Sequence, residues 1–274
     1  MQLCSVKVPP RGRQRPRRQG GSPYRRLRCG RSNGSSMSAR SICGTTTFLV
    51  LVLAGVACTK QLTGSGTVVS RQFPVTTFSK IQVSNAFAVR LSMGSPEAVT
   101  VRVDDNLVDD LDIGVSDGTL RLGLKGGMSV SRATLEADVT ASSLSAINGS
   151  GASTITPLDP IKSPSFVLAM SGASRFDGAV AFSDGSVELS GASEAVLRGS
   201  ASTLTVTVSG ASHLQARDLS IGALTIDLSG ASRGEVHATG TISASASGAS
   251  TLGYVGSPTF TRKDVSGGSQ ITQL

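Results

Sequence analysis

The sequence predicts an all-β fold, a single-stranded parallel β-helix (β-solenoid) with coils of about 19 residues, and three observations predict it. The tetrad Ser-Gly-Ala-Ser recurs at 150–153, 171–174, 190–193, 209–212, 229–232 and 247–250, and a worn copy, Ser-Gly-Gly-Ser, follows at 266–269. The tetrad glycines Gly151, Gly172, Gly191, Gly210, Gly230, Gly248 and Gly267 are 21, 19, 19, 20, 18 and 19 residues apart, a period that marks stacked units. Each tetrad is preceded by an alternating stretch, clearest in Leu204-Thr-Val-Thr-Val208 and Leu224-Thr-Ile-Asp-Leu228, and period two is the signature of a strand.

The alternation assigns the faces. Two residues before the glycines stand Met170, Leu189, Val208, Leu228, Ala246 and Val265; four before them stand Leu168, Val187, Val206, Ile226 and Ala244. These columns are expected to point into a common core, with the Thr, Ser, Glu and Asp between them on the solvent side. Helical repeats of similar length would need apolar residues at three- and four-residue spacing and would avoid so many Gly, Ser, Thr and β-branched residues. At roughly 3.3 Å per residue along strands, a unit of this length circles a narrow core once and starts the next rung one strand spacing away. The glycine is then expected at a corner that needs unusual φ/ψ or close backbone approach, with the flanking serines stacked on their counterparts in neighbouring rungs.

Charge is unevenly distributed along the 274 residues. The formal net charge of +8 hints at nucleic acid or a membrane surface, but 11 of the 26 Lys and Arg residues fall in 1–57 and all 18 acidic residues fall beyond it, so 58–274 carries a net −3. Residues 1–36 are basic and rich in Pro, Gly and Ser, unable to bury a core. They form either a disordered leader or one that is never translated, because Met37-Ser-Ala-Arg40 has the form of the short positive segment that opens an export signal. Residues 42–57 are an apolar run centred on Phe48-Leu-Val-Leu-Val-Leu53, shorter than the ~20 residues a membrane span requires, so 37–57 is expected to be a signal peptide.

Of the four cysteines, Cys4, Cys29, Cys43 and Cys58, only Cys58 would survive its removal, with no partner for a disulfide. The stretch Leu53-Ala-Gly-Val-Ala57 before it resembles a bacterial lipobox, with Gly55 where leucine is usual. The resemblance implies cleavage before Cys58 and lipidation of its thiol, so that acyl chains hold the protein on a membrane without spanning it. Thr59 is compatible with sorting to the outer membrane. A linker at 58–63 would then lead to the β-helix domain at 64–274.

The segments Gly64-Ser-Gly-Thr-Val-Val-Ser-Arg71, Phe78-Ser-Lys-Ile-Gln-Val-Ser84, Phe87-Ala-Val-Arg-Leu91 and Asp117-Gly-Thr-Leu-Arg-Leu122 resemble the opening of the auto-transporter adhesin head domain family called the GIN domain, and the tetrads resemble its later coils. Asn85 stands where the family often has glycine. The resemblance covers about 64–274 and implies a parallel β-helix in a bacterial envelope protein of undetermined role.

No catalytic, cofactor or metal residues are predicted. His213 and His237 are the only histidines, at different offsets from their glycines and without cysteine partners, so a metal site lacks its ligands. Serines abound without a G-x-S-x-G elbow. The acidic group Asp104, Asp105, Asp109, Asp110 and Asp112 lacks the spacing of a calcium loop and reads as the solvated face of a short connecting segment. No phosphate-binding glycine loop appears, and nucleic acid is not an expected partner. Without Trp, and with Tyr254 the only tyrosine after residue 58, aromatic stacking on sugars lacks material.

The expected function is therefore non-catalytic: an envelope lipoprotein whose polar β-helix face serves adhesion, binding of an envelope protein or polysaccharide, or scaffolding. Two alternatives stand beside it. One is a carbohydrate-active β-helix enzyme, a lyase or hydrolase using surface carboxylates converging on a groove; the other is an accessory protein that binds an envelope signalling partner.

Overall fold

The computed structural model describes residues 60–126 and 128–274; the expected leader 1–36, signal segment 37–57 and anchor Cys58 lie outside the described residues. Among the described residues there are 19 strands and one short 3-10 helix. In chain order the strands are β1 Lys60–Thr63, β2 Val68–Phe73, β3 Lys80–Val83, β4 Ala88–Met93, β5 Ala98–Asp104, β6 Leu111–Ser116, β7 Thr119–Leu124, β8 Met128–Ser131, β9 Leu135–Ala141 and β10 Ala146–Gly149. They continue as β11 Thr154–Pro157, β12 Ile161–Met170, β13 Arg175–Leu189, β14 Glu194–Val208, β15 His213–Leu228, β16 Arg233–Ala246, β17 Thr251–Val255, β18 Thr259–Val265 and β19 Gln270–Gln273, with the helix Asp105–Asp110 between β5 and β6.

Each of β13 to β16 runs from one tetrad to the next, so strand plus tetrad is one coil of the solenoid. Consecutive coils pair in parallel and in register: Val187 lies beside Val206, then Ile226, then Ala244, and Leu189 beside Val208, then Leu228, then Ala246. The unequal spacing of the glycines is absorbed far from the tetrads, by register shifts around 196–198, 216–220 and 221–223. Tetrads therefore stack without offset although coil length varies.

The inward columns carry the core. From Leu168 and Met170 to Ala244 and Ala246 every member of the two columns is at most 2 % exposed, and full burial of each large aliphatic side chain contributes roughly 1.5–3 kcal/mol. A third column, on the far side of the corner, contains Ile155, Phe176, Ala195, Leu214 and Leu252, all buried. Val265 departs from the expectation. It stays in its column, paired with Ala246, but is 47 % exposed, because among the described residues β18 pairs with β16 alone and none forms a further rung over it.

The amino-terminal portion is built differently. β3 and β4, joined by Ser84-Asn85-Ala86-Phe87, form one parallel coil that pairs on one side with β10 and β11 and on the other with β7 and β9. That coil precedes both of its neighbours in sequence yet lies between them. Beyond it the pairing becomes antiparallel, β6 with β7 and β2 with β5 with β9. Asp117 and Gly118 turn the β6–β7 hairpin with φ of 51° and 68°, the left-handed pair such two-residue turns require. The parallel coil pattern thus holds for 80–93 and for 146–274, and antiparallel strands close the end of the stack.

Candidate functional site

The tetrads form a continuous corner. Gly172, Gly191, Gly210, Gly230, Gly248 and Gly267 all have positive φ, between 68° and 79°. At Gly191 and Gly210 a Cβ would sit 2.5 Å from the carbonyl oxygen of the glycine one rung below, so both backbone conformation and proximity require glycine. The following residue completes the link: the N–H groups of Ala192, Ala211, Ala231 and Ala249 donate to the carbonyls of Gly172, Gly191, Gly210 and Gly230 at 2.7–2.8 Å. Gly151 also has positive φ, and its carbonyl accepts from Ala86 N–H. Asn85 takes the place of the glycine in the earlier coil, with φ of 59°, a conformation asparagine tolerates better than most residues.

The last serine of every tetrad is buried: Ser153, Ser174, Ser193, Ser212, Ser232, Ser250 and Ser269. The hydroxyls of Ser153, Ser174, Ser193 and Ser250 donate to the carbonyl of the tetrad's first serine, at 2.7–3.0 Å. The hydroxyls of Ser174, Ser212 and Ser269 accept from backbone N–H groups one rung away. The serines that dominate the repeat are thus committed to the scaffold.

Two sheet faces flank this corner and differ in chemistry. On the face after the corner, opposite charges neutralise one another across rungs. Asp177 accepts from Arg198 at 2.6 Å, Arg175 pairs with Glu194 and Asp177, and Glu194 accepts from Gln215 at 2.7 Å. Closer to the amino-terminal end Arg102 pairs with Glu136, and Arg90 holds Asp138 through two hydrogen bonds. The hydrogen bond from Arg90 keeps the Asp138 carboxyl below its ordinary value.

On the face before the corner the outward column three residues ahead of the glycines runs Gln82, Asn148, Ala169, Glu188, Thr207 and Asp227 in successive rungs. A depression of about 360 Å³ opens along it, walled on the corner side by Ser150, Ser171, Ser190 and Ser209. Among the described residues the side chains of Gln82, Asn148, Glu188 and Thr207 make no hydrogen bond or ion pair within the protein.

The other residues singled out in the sequence are dispersed. His213 is half-buried on the face after the corner, with Glu194 and Arg233 as strand neighbours and its Nε2 enclosed without a partner. His237 pairs with Ser220 and Val255, elsewhere on the coil. The acidic segment does not form a solvated face throughout: Asp104 is 1 % exposed and accepts the N–H groups of Gly66 and Thr134 at 2.7 and 2.6 Å. Asn106 beside it bonds Thr63 and Ser65, so the segment pins the preceding loop. Among the described residues no three His, Cys, Asp or Glu side chains are grouped to hold a metal ion, and no helix is long and apolar enough to cross a membrane.

Over residues 77–258 the chain matches the family described as "Putative auto-transporter adhesin, head GIN domain". The chain belongs to that family. No curated protein matches it in sequence. Among solved structures it is similar to "a putative adhesin" from Bacteroides fragilis, with a TM-score of 0.73 and 20% identity over 78% of this chain and 100% of the other. A "putative lipid binding protein" from Parabacteroides distasonis gives a TM-score of 0.65 at 19% identity over 78% and 100% of the two chains. A "putative adhesin" from the same species gives 0.61 at 20% over the same shares. At these identities the likeness is one of fold, and the GIN-domain β-solenoid expected from the tetrads is the fold observed.

The depression was not evident in the sequence reading, although its signal is there. Aligning the residues three before each glycine leaves Ala169 as the short member of a row of longer polar side chains.

Proposed function

We propose that the protein is a non-catalytic component of the bacterial cell envelope, anchored by lipid at Cys58, whose solenoid presents the face before the corner for adhesion or envelope scaffolding. The observation that carries this reading is the contrast between the two faces. After the corner, the carboxylates of Asp177 and Glu194 are held by Arg175, Arg198 and Gln215; before it, a row of amides, hydroxyls and carboxylates at fixed spacing is left without internal partners. Uncommitted polar groups on a rigid sheet are what a binding surface offers. Membership of a family described as adhesin heads supports the same reading.

The arrangement of the carboxylates favours binding over hydrolysis or elimination. An acid catalyst needs a carboxyl raised above its ordinary value, whereas Asp138 is lowered, and Glu136, Asp177 and Glu194 are each occupied by arginine.

The test has two parts. Metabolic labelling with a palmitate analogue is expected to mark the wild type and leave Cys58→Ser unlabelled and released into the soluble fraction. Purified protein is expected to bind isolated cell envelopes saturably, without turnover of ester or polysaccharide substrates. Unchanged labelling of Cys58→Ser, or turnover abolished by replacing one Asp, Glu or Ser, would overturn the proposal.

A further inference from the structure

We infer that the depression centred on Ala169 is a saccharide-binding site that takes neutral or amino-sugar units of a glycan and rejects acidic ones. This rests on the envelope-binding reading and gives it a ligand class.

The site follows from the stacking. Ala169 is flanked in its column by Asn148 on one rung and Glu188 on the next. Those two walls are therefore two rung spacings apart, roughly 10 Å along the stack, wide enough for a pyranose ring set over the methyl group between them. The volume of about 360 Å³ falls within the range of small-ligand sites, about 300–1,000 Å³. Because the rungs are hydrogen-bonded in register, the positions of the lining groups are fixed before any ligand arrives, which lowers the entropic cost of binding.

The chemistry of the walls selects the ligand. Each amide of Gln82 and Asn148 both donates and accepts, the Thr207 hydroxyl does the same, and the Glu188 carboxylate only accepts. Sugar hydroxyls also donate and accept, so they satisfy this mixture, whereas an apolar ligand would strand it. Glu188 has no basic partner among the described residues and stands one residue from the buried Leu189. Its uncompensated charge attracts an ammonium and repels a uronate or sulfate. No aromatic ring lines the site, so recognition runs through hydrogen bonds and each site is weak. Many copies displayed on one surface raise the overall strength through avidity. The column continues past Thr207 to Asp227, giving an extended glycan a path along the axis.

The test uses the full chain in mild detergent, titrated by calorimetry with N-acetylglucosamine, glucosamine and galacturonate oligomers. Saturable binding of the first two and none of the third is expected. Ala169→Trp fills the depression on the solvent face and is expected to weaken both by at least about tenfold with unchanged melting. Glu188→Gln keeps the shape; it is expected to weaken the glucosamine oligomer by about tenfold, the scale of one lost charge-assisted hydrogen bond, while sparing the N-acetylated one. Absence of saturable binding of both, or equal binding by Ala169→Trp, overturns the inference. Envelopes offered together with an excess of free N-acetylglucosamine oligomer, which competes for the depression, separate the two levels. Undiminished binding to them overturns the saccharide site and leaves the envelope-binding reading standing; saccharide binding with no binding to any envelope does the reverse.

Discussion

Replacing Gly210 by alanine isolates the force that keeps the corners stacked. Two costs combine there. The residue has φ of +72°, and holding a non-glycine residue in that region costs roughly 1–2 kcal/mol. The new Cβ would also lie 2.5 Å from the carbonyl oxygen of Gly191, which already accepts the N–H of Ala211 at 2.7 Å. Moving that carbonyl away sacrifices a hydrogen bond worth about 1 kcal/mol net, more if the N–H is left without water. The expected loss is about 2–4 kcal/mol. Two controls divide the sum. Gly66→Ala has the positive φ, +84°, with nothing within 4 Å of the new methyl, and is expected to lose only the conformational part. Gly114→Ala has neither handicap and is expected to be neutral or slightly stabilising. Urea unfolding followed by far-ultraviolet circular dichroism, with a common slope for the series, ranks the three. If Gly210→Ala proves no worse than Gly66→Ala, close approach between rungs is not what selects glycine.

Three further outcomes are expected. Val208→Asp places a carboxylate in a fully buried column and is expected to cost several kcal/mol, whereas Thr207→Asp, exposed on the same strand, costs only the solvent-screened repulsion from Glu188 and Asp227 in the adjacent rungs, a much smaller loss; similar melting temperatures would mean the register is wrong. Asp104→Ala orphans the N–H groups of Gly66 and Thr134, about 1–3 kcal/mol for each group that water cannot reach, and is expected to raise amide hydrogen exchange at 64–67 before global unfolding. The lowered value of Asp138 means its pairing with Arg90 stabilises the fold above the ordinary carboxylate range and is lost as pH falls through the lowered folded value. Both partners are about half exposed, so solvent screens the pair and its contribution is small. An NMR titration of Arg90→Gln is expected to move the Asp138 midpoint upward.

The repeat half of the fold was legible because its signals are local. Period-two columns specify which side chains turn inward, and a glycine at nearly constant spacing specifies where the coil turns, so Val187, Val206, Leu228 and their neighbours are buried as their positions require. Val265 obeyed the same column and is exposed, since burial also depends on a rung that must lie beyond it. The amino-terminal half was less legible because pairing partners there are chosen over long sequence distances. Nothing in Lys80-Ile-Gln-Val83 says that its two neighbours will be 119–122 and 146–149. Asp117-Gly118 between alternating runs was a local hairpin signal and could have revealed the antiparallel end. Asp104 reads as surface by type, and only the approach of Gly66 and Thr134 makes its burial affordable. The binding depression was hidden for a related reason: it arises from one short side chain between longer ones on different coils.

The interleaved coil has a consequence for how the chain comes into being. In a simple solenoid each newly made coil can settle on one already in place, so structure can grow in the direction of synthesis. Here residues 80–93 have both neighbours downstream, 119–141 on one side and 146–157 on the other. A chain emerging amino-terminus first, from a ribosome or through a membrane, therefore carries its earliest parallel coil, complete at residue 93, with one edge open until residue 141 and the other until residue 157 has appeared, an interval in which unpaired edges can join the wrong partner. Past the second tetrad this constraint vanishes, and every later coil rests on the one before it. Whole coils can be gained or lost there during evolution without disturbing the part that is hardest to assemble.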